Sequence, residues 1–265
     1  MNLIHAQKAA ADAARTVGAL MRRELHSPKR ANAESQHDIK LELDVRCQKI
    51  IENALRKASP EAALLGEEGV AGDPESEYRW VVDPIDGTVN FAYTIPHACV
   101  SIALQHREPK PPPTAYEDGF DTLVGVVYDP FLDEMWTASR GRPARLNGKI
   151  IRASTRQKLS EAVISIGFAK SRENLEATLP YFQELVHQVR KLRIMGSAAL
   201  ALTYVATGRF DAYIERGIRL WDIAAGGLIL ECAGGEFWHA PVAGVHTYRM
   251  LSTNKPLRKK LRVPN

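Results

Sequence analysis

Residues 80–91 read W-V-V-D-P-I-D-G-T-V-N-F, and this stretch holds the residue types best suited to chemistry. Two carboxylates, Asp83 and Asp86, flank Pro84, which stiffens the turn between them. Gly87 lets backbone come close to a ligand, and Thr88 adds a hydroxyl. Backbone N–H groups at Gly87 and Thr88 can hold an anion if a helix turn starts there. Carboxylates that attract metal therefore sit beside donors that attract an oxyanion. That pairing points to metal-assisted chemistry on a phosphate.

Four acids, Glu67, Asp83, Asp86 and Asp222, fall at the ends of expected strands or the starts of expected helices. Singly, each has a plain reading. Asp222, between Trp221 and the apolar run I-A-A-G-G-L-I-L-E, is a helix N-cap. Glu67 is a solvated loop acid, and Asp83 and Asp86 are turn residues. Convergence would change this. Like charges about 4 Å apart repel by roughly 4 kcal/mol per pair at an effective dielectric near 20, so a cluster needs protons or bound cations. All-oxygen ligation selects hard ions such as Mg²⁺ over Zn²⁺. The eight histidines are scattered and form no competing ligand set.

The chain has 265 residues, 45% of them hydrophobic and 25% charged. That balance fits a globular protein able to bury a core. A net charge of +4 does not by itself imply nucleic acid, nor would it repel a small anionic substrate. Cys47, Cys99 and Cys232 are odd in number and lack metal-type spacing, so reduced thiols and a cytoplasmic location are expected. No signal peptide and no membrane-spanning apolar run are visible.

The elements that must position these residues follow from periodicity and punctuation. A helix is expected over 3–26, with Ile4, Val17, Leu20, Met21 and Leu25 as its apolar stripe. A polar loop follows over 27–38, then a helix over about 42–58 with Val45, Ile50, Ile51 and Leu55 facing the core. Strands are expected at 62–65, 78–82 and 98–104. Residues 107–121 carry three successive prolines and read as an exposed polyproline excursion between two strands. A hairpin insertion is the plainer reading and an SH3-type ligand the sharper one. Strands at 122–128 and 134–138 and a tight hairpin at Asn147-Gly148 follow. The second half alternates: strand 162–166, helix 173–190, strand 191–194, helix 197–207, strand 210–214, helix 222–233, strands at 235–238 and 249–252, and a short basic C-terminal helix. This implies an α+β N-terminal lobe over about 1–150 and an α/β C-terminal lobe over about 151–265, packed as one unit.

The sequence resembles the inositol monophosphatase family, within the lithium-sensitive, magnesium-dependent sugar phosphatases. Three blocks carry the match: G-E-E at 66–68, W-V-V-D-P-I-D-G-T-V-N-F at 80–91, and W-D-I-A-A-G-G-L-I-L-E-C-A-G-G at 221–235. The resemblance implies a layered αβαβα sandwich of the inositol monophosphatase and fructose-1,6-bisphosphatase type. It implies that Glu67, Asp83, Asp86, the Ile85 carbonyl and Asp222 bind two or three Mg²⁺ ions. Gly87 and Thr88 would hold phosphate, with Asp86 also at the substrate. The Thr88 hydroxyl and Glu67 would orient a water for in-line attack, with Asp44 hydrogen-bonding Thr88. Glu215 would hold substrate hydroxyls, and Gly196, Ser197 and Ala198 would line the sugar pocket. One region departs from the family: Ala33 stands where many members have lysine, and Leu41 where they have threonine, while Asp38 and Asp44 are kept. Lys40 is either a replacement positive charge or a solvated surface lysine.

The expected function is therefore Mg²⁺-dependent hydrolysis of inositol monophosphate or a similar polyol phosphate. Fructose 1,6-bisphosphate, adenosine 3′,5′-bisphosphate and histidinol phosphate are the competing substrates. Arg216 and Arg219, beside Glu215, would favour a second phosphate or face solvent. A rival of another class is a non-catalytic RNA-associated regulator using the basic tail K-P-L-R-K-K-L-R, which lacks interleaved aromatics for stacking. Nucleic acid and membrane are not expected partners, and family resemblance implies a homodimer.

Overall fold

The structure, a computed structural model, describes residues 1–35, 38–168 and 171–264, and only the backbone of 32–35 and 38–40. In chain order the elements are α1 (Leu3–Glu24), β1 (Ala31–Ser35), β2 (Asp38–Leu41), α2 (Glu42–Ala58), β3 (Ala63–Gly66), β4 (Gly69–Ala71), β5 (Tyr78–Asp86), α3 (Thr88–Ala92), β6 (Cys99–Arg107), β7 (Phe120–Asp129) and β8 (Glu134–Ser139). There follow β9 (Arg145–Leu146), β10 (Lys149–Ile150), β11 (Val163–Ile166), α4 (Arg172–Val186), β12 (Lys191–Arg193), α5 (Ala198–Ala206), β13 (Ala212–Arg219), α6 (Leu220–Cys232), β14 (Glu236–Pro241) and β15 (Thr247–Thr253).

An eight-stranded sheet runs β10-β9-β8-β7-β6-β5-β3-β4, and a five-stranded sheet runs β12-β11-β13-β15-β14. Helices α1 and α2 cover the outer face of the large sheet, α5 and α6 lie between the sheets, and α4 covers the far face of the small one. This is the αβαβα layering that the resemblance implies. Strand periodicity explains it. In β5, Trp80 and Val82 enter the core under α1 and α2, while Val81 points to the core around α5 and α6. The inner helices are apolar on all sides, as helices buried between two sheets must be. Close approach needs small residues: a Cβ on Gly125 of β7 would lie 2.6 Å from the Ala225 carbonyl oxygen of α6. Among the described residues no helix is long and apolar enough to cross a membrane.

Several expectations are corrected. The polar stretch 27–38 is not all loop, because β1 pairs antiparallel with β2. A ribbon lying outside both sheets has no apolar alternation to reveal it. Ile4 and Val45 are 63% and 47% exposed, so neither faces the core. Leu41, in contrast, is buried beside α1 and α2; the side chains of Asp38 and Lys40 lie outside the described residues. The 107–121 excursion lies between β6 and β7 as expected but is anchored. Tyr116 is buried and stacks on His239 at 4.3 Å, Tyr248 donates to Glu117, and Arg79 pairs with Asp118. The Asn147-Gly148 hairpin forms, with both residues at positive φ (47° and 80°). The C-terminal segment is only a 3₁₀ turn at Arg258–Lys260. Leu257 and Leu261 plug the outer core, and Arg258 and Arg262 pair with Glu236 and Glu184.

Candidate active site

Asp83 and Asp86 stand three positions apart, a spacing that a regular strand would send to opposite faces. A bulge resolves this. Asp83 pairs with Ser101 and Asp86 with Cys99, so β5 advances three residues while β6 advances two. Both carboxylates then face the space between the sheets. Pro84 suits the bulge because it has no N–H to leave unpaired. The expected turn after residue 82 is thus the bulged end of a nine-residue strand.

Helix α6 brings the third acid. Its start is pinned by Ser101, whose hydroxyl donates to the Trp221 carbonyl at 3.1 Å. Asp222 Oδ2 accepts the Arg219 N–H at 3.0 Å from the third position of α6. The helix starts at Leu220, two residues before the expected start, with Arg219 as its N-cap, so Asp222 supplies the third-position half of a capping box instead of being the N-cap itself. Oxygens of Asp83, Asp86 and Asp222 lie within 4.8 Å of one another. Glu67 follows β3, with its N–H donating to the Val82 carbonyl at 3.1 Å, and lines the same cavity of about 290 Å³.

Electrostatics at the cluster are adverse without a cation. Burial pushes Asp83 well above the ordinary carboxylate range, and the charges of Glu67, Asp86 and Asp222 push it further. Asp222 is raised well above its ordinary value by burial, then by Asp86 and Glu67. Asp86 is raised by burial, but hydrogen bonds oppose the rise. Ser197 Oγ donates to its Oδ2 at 2.5 Å, Ala199 N–H to Oδ2 at 2.8 Å, and Ala198 N–H to Oδ1 at 3.2 Å. Asp86 therefore caps α5 and ties its N-terminus to the acid cluster. The donors are carboxylate oxygens, buried on Asp83 and Asp86 and half-buried on Asp222, and suit a hard divalent cation.

Beside the acids, Gly87 turns left-handed (φ 94°), and a Cβ there would lie 2.9 Å from the His97 carbonyl oxygen. Helix α3 starts at Thr88 as expected, so its first N–H groups have no partner within the helix. The Thr88 hydroxyl donates to the Ile85 carbonyl at 2.9 Å. Among the described residues that hydroxyl gives its hydrogen to Ile85 and not to Asp44, the contact that the resemblance implies. Asp44 instead accepts the Leu41 N–H at 2.8 Å, capping α2, because that carboxylate lies in the first turn of its own helix. Gly196 (φ 75°), Ser197 and Ala198 line the cavity, yet the Ser197 hydroxyl and Ala198 N–H are committed to Asp86. Glu215 lines the cavity with Phe168 and Tyr213.

Other positioning groups carry no sequence signal of their own. Asn90 donates to the His97 and Met195 carbonyls at 2.9 and 2.8 Å and so links α3 to the segment before α5 at the cavity. Buried Gln48 donates to the Gly69 carbonyl and accepts the Glu68 N–H, shaping the loop of Glu67. Asn90 stands inside the quoted block, where an amide between apolar neighbours is the only hint. Arg216 turns to Asn174, and Arg219 to Val245 and Thr247; neither lines the cavity.

Comparisons with known proteins give the family. The model of the inositol monophosphatase family matches residues 3–246. A Pseudomonas aeruginosa protein named Nus factor SuhB is 41% identical over 210 residues, covering 77% of this chain and 73% of that one. Inositol monophosphatase 1 of Solanum lycopersicum is 35% identical over 259 residues, covering 94% and 90%. The structure of inositol monophosphatase from Anabaena (Nostoc) sp. PCC 7120 superposes with a TM-score of 0.82 at 33% identity, covering 98% of this chain and 94% of that one. The chain belongs to the inositol monophosphatase family and is a phosphatase.

Proposed function

We propose that the protein is a Mg²⁺-dependent phosphate monoester hydrolase acting on inositol 1-phosphate or a closely similar polyol monophosphate. The observation that carries this reading is the convergence of Asp83, Asp86 and Asp222 in one cavity with the Gly87–Thr88 turn and Glu215. Glu67, Asp83, Asp86, Asp222 and the Ile85 carbonyl would hold the cations. Bound Mg²⁺ supplies positive charge for the phosphate and acidifies water toward neutrality. The chain's own groups do the rest. Gly87 and Thr88 N–H groups hold phosphate oxygens. The Thr88 hydroxyl donates its hydrogen bond to the Ile85 carbonyl, so Oγ1 offers lone pairs to a water, which Glu67 helps orient. Glu215 accepts substrate hydroxyls. No side chain forms a covalent phosphoenzyme in this scheme.

Among the described residues lining the cavity none is basic, and Arg216 and Arg219 turn elsewhere. An RNA-associated regulatory role draws on the basic tail, but Arg258 and Arg262 are engaged in ion pairs. The homodimer implied by family resemblance belongs to the same proposal, and light scattering tests it. Phosphate release across a panel of monoesters, with and without Mg²⁺, tests the activity. Inositol 1-phosphate should be among the best substrates, with turnover lost in EDTA and in Asp83→Asn. Metal-independent turnover, or full activity of D83N, would refute the reading.

A further inference from the structure

We propose that Tyr213, acting with Gly167, is a positioning residue that fixes the Glu215 carboxylate and thereby sets the preference for phosphate esters of polyols over phosphate esters without free hydroxyls. The inference rests on reading Glu215 as the acceptor of a substrate hydroxyl.

A glutamate on a cavity wall has three side-chain torsions, and recognising a hydroxyl requires its oxygens to be in one place. Freezing such a side chain only when substrate arrives would weaken binding. Here the freezing is built in. Tyr213 and Glu215 stand two apart on β13, and the Tyr213 phenol donates to Glu215 Oε2. Tyr213 is 3% exposed and belongs to the core between the sheets, so its ring cannot swing away. Burial and the neighbouring Glu215 charge keep the phenol protonated, and therefore a donor, through the working pH range.

Gly167 supplies the other side of the seat. A Cβ on residue 167 would lie 1.7 Å from Glu215 Oε2 and 2.2 Å from Cδ. The carboxylate thus rests against bare backbone that any other residue would block. That backbone is itself fixed, because the Gly167 N–H donates to the Ile214 carbonyl at 3.0 Å and continues the pairing of β11 with β13. Tyr213, Gly167 and Glu215 line the same cavity as the acid cluster. The phenol on Oε2 takes one of about four acceptor directions that a carboxylate offers.

The test compares kcat/KM for myo-inositol 1-phosphate with kcat/KM for phenyl phosphate, which has no hydroxyl to recognise. Three single variants, Tyr213→Phe, Gly167→Ala and Glu215→Gln, and the double variant Y213F/E215Q are measured. Tyr213→Phe should lower the inositol 1-phosphate value about tenfold, the scale of one hydrogen bond to a charged group, chiefly through KM. Phenyl phosphate should change less than twofold. Gly167→Ala should give the same selective loss while keeping the tyrosine, and Y213F/E215Q should be no worse than E215Q. Equal losses on both substrates, or no loss on either, in Tyr213→Phe and Gly167→Ala would overturn the role of the pair. An unchanged substrate ratio in Glu215→Gln would instead overturn the reading of Glu215 on which the inference stands.

Discussion

Replacing Asp83 with Asn should make the metal-free protein more stable and the Mg²⁺-loaded protein relatively less stable. The amide keeps the hydrogen bond that Asp83 Oδ1 accepts from the Ile85 N–H at 3.0 Å, so local geometry is preserved. What changes is charge. Oxygens of Asp83, Asp86 and Asp222 lie within 4.8 Å, where two unit charges repel by about 3.5 kcal/mol at an effective dielectric near 20. Two such pairs exceed the roughly 4 kcal/mol needed to keep an ordinary carboxyl protonated at pH 7, so the cluster relieves itself by holding protons. That protonation cost limits what the substitution can recover. About 2 kcal/mol is expected, a rise in Tm of about 4–8 °C for a chain of this size.

The sign of the pH dependence follows from the raised Asp83 and Asp222. The folded state keeps protons that the unfolded chain releases near the ordinary carboxyl value of 3.8. The folded state then binds more protons, so this contribution to stability is present below about pH 4 and is lost as pH rises towards neutrality. The stability gap favouring D83N in EDTA should therefore widen from pH 4 to pH 7. Saturating Mg²⁺ should reverse the order, because a ligand at about a hundred times its Kd adds about 2.7 kcal/mol to the wild type alone. Thermal melts of both proteins in EDTA and in Mg²⁺ read all of this. A variant less stable than wild type in EDTA would refute the electrostatic reasoning.

Other substitutions probe the scaffold. Ser197→Ala removes both the α5 cap and a donor to Asp86. It should cost about 1 kcal/mol in urea unfolding and raise the Mg²⁺ concentration for half-maximal activity several-fold; an unchanged Mg²⁺ requirement would count against the link. Gly125→Ala would press a methyl against α6 backbone at 2.6 Å. A loss of about 2 kcal/mol is expected, read by urea unfolding, with weaker Mg²⁺ activation because α6 carries Asp222.

The legible parts of the chain are those where local chemistry and tertiary structure agree. Helix α2 spans Glu42–Ala58, the range its apolar period marks out, and the Asn147-Gly148 turn states its own geometry. The four acids are visible as residue types, and their convergence follows from the family resemblance rather than from spacing. Spacing alone misleads at Asp83 and Asp86, because only the bulge in β5 brings both to one face. Ile4 and Val45 match the apolar period yet face outward, since periodicity marks a face without guaranteeing that something covers it. The proline-rich excursion looked detached because Tyr116, Glu117 and Asp118 find partners on β14, β15 and β5, far away in sequence. The second job of Asp86, holding the N-terminus of α5, was hidden for the same reason.

Direct titration of Mg²⁺ by calorimetry into the purified protein and into Asp222→Asn tests the acid cluster most closely. Saturable binding by the wild type, at least one ion per chain and at least tenfold weaker in the variant, is the predicted result. Absent binding, or equal binding by both proteins, would contradict a cation site built from Asp83, Asp86 and Asp222.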